Sequence, residues 1–429
     1  MRFVSTNGAA PPADLKTALL TGLAPDGGLY LPERLEPIPA PAIAALRGAP
    51  LQHTALVVAR HLLQGEPKDQ ALEQVIAQAL DFPIPLAPFT ERAHVLELFH
   101  GPTCAFKDVG ARFMARLMAL YHEGERRPLT ILVATSGDTG SAVAQAFFNL
   151  PGTRVFVLYP EGKVSPLQER QFTTLGGNIA ALAVAGTFDD CQRLVKEAFA
   201  DPGLRDLRLT SANSINIGRL LPQIFYYFHA WAQLPEPPGQ LVVSVPSGNF
   251  GNLTAGLMAL RLGLPVKRFV AATNVNDVVP EYLRSGTFRP RASVATLSNA
   301  MDVGNPSNFA RMLALYRGDV EGMRKDVEWA TLTDAQTRAV IARAYQDRRY
   351  VLDPHSAVAA SGLGKVMGEG GPETGVFLAT AHPAKFAEVV EPVIGAAVPL
   401  PPGLAECLRR EPRVTRMGNT LAQLKPLLH

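Results

Sequence analysis

The strongest constraint on this chain is a repeated succession of short apolar run, glycine-rich turn and helical pattern. Leu241-Val242-Val243-Ser244-Val245 is a short, largely β-branched run; Pro246-Ser247-Gly248-Asn249-Phe250-Gly251-Asn252 interrupts it; Leu253, Leu257, Met258 and Leu260 then recur at helical spacing. The same reading gives a strand over Leu129 to Ala134, a helix over Ser141 to Leu150 and a strand over Thr153 to Tyr159. It continues with Asn178 to Ala185, Asp189 to Phe199, Arg268 to Asn274 and a helix from Thr333 to Asp347. Such alternation predicts largely parallel sheets with helices on both faces, hence an α/β fold of two lobes. Residues 1 to about 90 differ, with helical stretches such as Thr54 to Leu63 between proline-rich joints at Pro37-Ile38-Pro39-Ala40-Pro41 and Pro83-Ile84-Pro85-Leu86-Ala87-Pro88. The expected division is an N-terminal domain 1–90, a first α/β lobe 91–240, and a second lobe 241–429 whose tail follows Pro399-Leu400-Pro401-Pro402.

Composition removes several function classes. A chain of 429 residues with 47% hydrophobic and 18% charged residues is long enough for two or three cored domains. A dispersed net charge of +3 and no basic-aromatic stripe argue against nucleic acid. The nine histidines show no metal-ligand spacing, so no metal is expected. Cys104, Cys191 and Cys407 are odd in number and unpaired in spacing, which predicts reduced thiols. The start lacks the apolar run of a signal peptide and no apolar segment could span a membrane, so the expected location is cytoplasmic.

Three strand-to-helix corners carry candidate chemistry. In His100-Gly101-Pro102-Thr103-Cys104-Ala105-Phe106-Lys107-Asp108, Lys107 stands where a loop becomes a helix marked by Val109, Phe113, Leu117 and Tyr121, with Met114 and Met118 beside them. A lysine among apolar neighbours loses its proton readily and can form a Schiff base; a solvated lysine in a first helical turn would read the same way. The Gly248–Asn252 turn points backbone N–H groups and a helix N-terminus at one anion, although a tight turn that binds nothing has the same sequence. It lacks the Lys-Ser/Thr of a nucleotide loop and the G-x-G-x-x-G dinucleotide fingerprint. The third corner is Val376-Phe377-Leu378-Ala379-Thr380-Ala381-His382-Pro383-Ala384-Lys385-Phe386, where the Thr380 hydroxyl ends a buried strand.

The order Phe106-Lys107-Asp108, Thr135-Ser136-Gly137-Asp138-Thr139-Gly140, Gly248-Asn249-Phe250-Gly251-Asn252, Thr380-Ala381-His382-Pro383 resembles that of the threonine synthase family, in its longer bacterial and fungal form. The likeness extends to Asp26-Gly27-Gly28-Leu29-Tyr30, Pro160-Glu161-Gly162-Lys163-Val164-Ser165-Pro166, Gly186-Thr187-Phe188-Asp189-Asp190 and Asn213-Ser214-Ile215-Asn216-Ile217-Gly218-Arg219, nearly the whole chain. It implies the tryptophan-synthase-β fold group, with pyridoxal 5′-phosphate held in a cleft between two α/β lobes. It also implies conversion of the small molecule O-phospho-L-homoserine and water to L-threonine and phosphate, by a monomer or homodimer. Lys107 would carry the cofactor; Phe106, Asp138, Gly248, Asn249, Phe250, Gly251, Asn252 and Thr380 would surround it. Thr135, Ser136 and Thr139 would take the substrate carboxylate, and Asn213, Ser214, Asn216 and Arg219 the substrate phosphate, with Lys163 a further phosphate candidate. Many relatives have Asn where this chain has Asp138. A carboxylate beside the pyridine 3′-oxygen would have to be protonated, turned away or acting through its N–H, unless it is simply a helix N-cap. A lyase or serine/threonine deaminase on the same scaffold, releasing a keto acid, and a non-catalytic phosphate-ligand sensor are the competing readings.

Overall fold

A computed structural model describes residues 1–235, 239–368 and 370–429. The strands are β1 (Phe3–Ser5), β2 (Tyr30–Pro32), β3 (Leu86–Pro88), β4 (Ala93–Glu97), β5 (Leu129–Ala134), β6 (Thr153–Pro160), β7 (Ile179–Val184), β8 (Leu209–Ser211), β9 (Leu241–Pro246), β10 (Arg268–Thr273), β11 (Val327–Thr331), β12 (Thr374–Ala379) and β13 (Val414–Met417). They form a six-stranded sheet in the order β11-β10-β9-β12-β4-β3, a five-stranded sheet in the order β13-β7-β6-β5-β8, and the pair β1-β2. All neighbours in the two large sheets are parallel except β3 and β4. Every residue of β5 and β9 is buried, as befits strands covered by helices on both faces.

The linear division into 1–90, 91–240 and 241–429 does not describe the sheets. β4, expected in the first lobe, pairs with β12 along Ala93–Glu97 and so completes the six-stranded sheet, bringing β3 with it. Conversely β13, from the tail, pairs with β7 and extends the five-stranded sheet. The reason is that a parallel neighbour needs a long crossover, so β4 and β7 find theirs far along the chain. The additional N-terminal domain expected is packed closely on the lobes. Leu51–Leu63 packs on Gln223–Gln233, and Asp69–Ala79 packs on Lys107–His122, within one continuous apolar core.

The Lys107–His122 helix buries Val109, Phe113, Met114, Leu117 and Met118 completely, while Tyr121 at its last turn is only partly covered. It ends at His122, and Gly124 follows at φ 81°. Among the described residues, no helix is long and apolar enough to cross a membrane.

Candidate active site

The corner holding Lys107 is built from both ends of the chain. β4 and β12 run parallel, and past their ends Phe106 N donates to Thr380 O at 2.9 Å while Ala105 bridges Ala381. Thr380, 6% exposed, thus lies beside the first turn of the Lys107 helix. Thr103 locks the approach: its N–H and Oγ1 donate to Asp108 at 2.9 and 2.7 Å, and its carbonyl accepts from Gln171 Nε2 and Lys385 Nζ. Asp108 is fully buried, and burial pushes its carboxyl up to about 6 against those hydrogen bonds and the charges of Lys385 and Arg112.

Lys107 Nζ lies 4.0 Å from Asp138 Oδ2, with its side chain 18% exposed. Burial depresses its proton affinity; Asp138 raises it, and Lys385 and Arg219 lower it further. Asp138 is not a cap. It is the first residue of the Asp138–Phe147 helix, with Gly137 at the cap position, and its side chain makes no capping bond. Burial disfavours the carboxylate, yet the Lys385 and Lys107 ammoniums, with hydrogen bonds from Lys385 and Gln168, hold it well below the usual carboxylate range. Lys385 Nζ sits 2.5 Å from Oδ1 and Gln168 Nε2 donates to the same oxygen at 2.9 Å. Lys385 is not among the site residues the sequence singles out, although it carries the signal that marks Lys107: one cation in an apolar run beyond a strand.

The Thr135–Gly140 turn is partly self-satisfied. Thr135 Oγ1 accepts from the N–H groups of Gly137 and Gly140 at 2.9 and 2.8 Å, so it braces the turn and is not free for substrate. Gly137 has φ 148°, and a Cβ there would stand 2.5 Å from Gln168 Oε1. Ser136 is exposed and Thr139 half-buried.

The second turn is built differently. Phe250, at φ 60°, is buried in the core and hands the chain to the Gly251–Arg261 helix. Asn249 donates to Ser214 Oγ and accepts from Ser307 N, both at 2.6 Å; Asn252 Nδ2 donates to Pro246 O at 2.8 Å. With those side chains committed, the turn can offer an anion its backbone, and the Gly251 and Asn252 N–H groups have no intrahelical acceptor. A Cβ on Gly248 would meet Met301 Cα at 2.6 Å and Ala300 O at 2.8 Å, so only glycine fits. Asn308 Nδ2 is buried without a partner and lies 3.3 Å from the position a Gly251 Cβ would take. An orphaned donor beside open helix-terminal amides fits the phosphate of pyridoxal phosphate.

The donor set after β8 divides. Asn216 is fully buried, with Nδ2 on the Leu19 and Ser211 carbonyls and Oδ1 capping Gly218 N; it is framework, contrary to the substrate-binding role expected of it. Asn213 Nδ2 donates to Ala134 O at 3.0 Å and ties this loop to β5. Arg219 is 4% exposed, gives Nη1 to Ala212 O at 2.6 Å, and leaves Nε buried without a partner. Through Ser214 and Asn249 the set touches the Gly248–Asn252 turn directly. Lys163 is exposed. His355 is a satisfied structural group: Nδ1 meets Asp353 at 2.6 Å and Nε2 accepts from Ala300 N at 3.2 Å. Cys104 is a buried filler whose thiol is pushed up to about 12 by burial.

Residues 92–381 match the family model described as pyridoxal-phosphate dependent enzyme; residues 2–80 match threonine synthase N terminus, and residues 356–427 threonine synthase, C-terminal. The chain is 50% identical to threonine synthase of Serratia marcescens over 390 residues, 90% of each chain. It is 49% identical to that of Escherichia coli over 391 residues, covering 91% of this chain and 90% of the other. The solved threonine synthase of Escherichia coli superposes at TM-score 0.93 with 45% identity, covering 100% and 99% of the two chains. The pyridoxal-phosphate-bound threonine synthase of Brucella melitensis superposes at 0.94 with 37% identity, covering 100% and 98%. With both terminal models matched and such identity held from end to end, the chain belongs to the threonine synthase family of pyridoxal-phosphate enzymes.

Proposed function

We propose that this protein converts O-phospho-L-homoserine and water to L-threonine and phosphate, with Lys107 carrying pyridoxal phosphate and the Gly248–Asn252 turn holding its phosphate. The observation that carries this reading is the Asn249–Ser214 hydrogen bond, which joins a backbone anion cradle to a second donor group containing Arg219. Two adjoining anion sites suit an enzyme that must hold a cofactor phosphate and a substrate phosphate together.

When bound, the cofactor supplies an electron sink that makes the substrate Cα–H acidic. The remaining work falls to the chain. Lys107 Nζ would be a buried amine that holds one proton at a time, so the Cα proton it takes would have to pass on to the cofactor before Nζ takes the Cβ proton. Arg219 steadies the γ-phosphate through its guanidinium as that group departs with its oxygen. Lys107 would then give its proton to Cγ and, after water has added at Cβ, carry the proton passed on earlier back to Cα. The water's remaining proton leaves with phosphate, so the balance closes. Thr380, a hydroxyl and not a carboxylate, suits a ring nitrogen left without a proton, which favours elimination and replacement over transamination. Location in the cytoplasm fits a biosynthetic enzyme of this kind.

Product analysis with O-phospho-L-homoserine tests the reading. Threonine and phosphate should appear in equal amounts; 2-oxobutyrate in place of threonine would make the protein a lyase on the same scaffold.

A further inference from the structure

Lys385 is a buried cation that the reaction above leaves idle. It lies in the Pro383–Phe386 turn beyond β12, with its side chain 0% exposed. Its Nζ reaches two oxygens, Thr103 O at 2.9 Å and Asp138 Oδ1 at 2.5 Å. The other Asp138 oxygen faces Lys107 Nζ at 4.0 Å. One carboxylate therefore lies between two lysine nitrogens brought by separate elements. Burying an ammonium is costly unless it is paired, and Asp138 with Lys107 alone would already make a pair. The second cation changes the count: Asp138 and Lys385 together are neutral, and Lys107 is no longer required as counter-ion.

We propose that Lys385 is a positioning residue that claims the Asp138 carboxylate and so leaves Lys107 free to act as a neutral amine. This rests on Lys107 being the cofactor lysine, as read above. The charges facing Nζ are Asp138 on the Asp138–Phe147 helix, Lys385, and Arg219 on Ile217–Leu220; Asp108, Cys104, Cys407 and His382 stand around Lys385. Of the three that face Nζ, only Asp138 favours the proton there, and Lys385 is the nearest check on it.

The test is a pH titration of the visible absorption of the holoenzyme, which reports the proton on the Lys107 nitrogen. Lys385→Gln keeps a donor for both oxygens and deletes the charge; it should raise the midpoint by roughly 1 unit or more. Asp138→Asn should lower it by a similar amount, and Asp138→Asn/Lys385→Gln should return it close to the wild-type midpoint. Lys385→Arg, which retains the charge, should stay near wild type. A Lys385→Gln midpoint that is unmoved or lowered overturns the proposal. If that variant does not fold, the double variant decides, because it buries no unpaired charge: a midpoint as low as that of Asp138→Asn alone overturns the proposal. Lys107→Ala separates the two levels. Loss of the visible band there with an unmoved Lys385→Gln midpoint removes Lys385 alone, whereas a band that persists removes the Lys107 assignment and this proposal with it.

Discussion

The Thr135–Gly140 and Gly248–Asn252 turns share one plan, a buried parallel strand opening through glycine into a helix, yet they are equipped in opposite ways. The first stands in a nest of fixed charge: Asp138, Lys385, Lys107 and Arg219 are all largely withdrawn from water. The second has no charged side chain within the turn and works with amides, two asparagines and the orphaned Asn308 Nδ2, with one buried cation behind it, Arg311, whose Nη1 donates to Asn308 Oδ1 at 2.6 Å. The difference teaches a division of labour. Backbone amides on a braced turn suit an anion whose charge does not change, whereas proton transfer needs side chains whose charge is set by their neighbours.

The sharpest way to break that comparison is Lys107→Ala. It should abolish threonine formation and the visible absorption of bound cofactor while some cofactor stays held through its phosphate; turnover near wild type would take Lys107 out of the mechanism. Next comes the neutral turn. Gly248→Ala drives a methyl against Met301 Cα and Ala300 O, which are main-chain atoms, and should weaken cofactor affinity by up to about 100-fold, the overpacking cost of roughly 1–3 kcal/mol. Gly251→Ala meets only the end of the Asn308 side chain and should cost less; titrations giving the reverse order would move the cradle. Arg219→Ala should leave cofactor affinity intact and lower kcat/KM for phosphohomoserine by about one to two decades, the loss of one charge-assisted contact. Equal losses on phosphate-free serine dehydration would make Arg219 a fold residue.

The smallest effect concerns stability, and only the charged corner should show it. The folded carboxyl of Asp108 titrates near about 6, above its ordinary value of 3.8, so the native state holds that proton more tightly than the unfolded chain. Its contribution is fully present below pH 3.8 and is lost as pH rises through about 6, amounting to roughly 1–3 kcal/mol. Asp108→Asn mimics the protonated form, and urea unfolding should lose that slope between about pH 4 and 6. A slope that survives the substitution would assign it to another group.

What the sequence made legible was whatever declares itself by local pattern. β5, β6, β9 and β10 are dominated by consecutive apolar residues, and the Lys107 helix has a clear stripe, so the sequence shows their extents to within a residue or two. β4 (Ala-His-Val-Leu-Glu) and β13 (Val-Thr-Arg-Met) are short and mixed in polarity, and only their distant partners make them strands. At the site, residue type was legible and direction was not. Asn216 and Asn213 carry the donors a phosphate would need but spend them on main-chain carbonyls. Asn308, in a loop without motif, points its amide beside the glycine turn. Asp138 could be framed only as a set of alternatives, because the cation that decides its charge comes from far along the chain.

The pairing of β4 with β12 and of β7 with β13 also governs how the protein comes into being. On the ribosome, β4 emerges early with β3 on one edge and nothing on the other until Thr374–Ala379 has been made. β7 keeps a bare edge longer still, until Val414–Met417 arrives. β9 waits for the same β12 strand, so three strand edges stay unfilled until late in synthesis, the condition under which strands pair wrongly with other chains. The six-stranded sheet thus lacks the strand that joins its two halves until Ala379 is made, and the five-stranded sheet lacks an edge until Met417 is made.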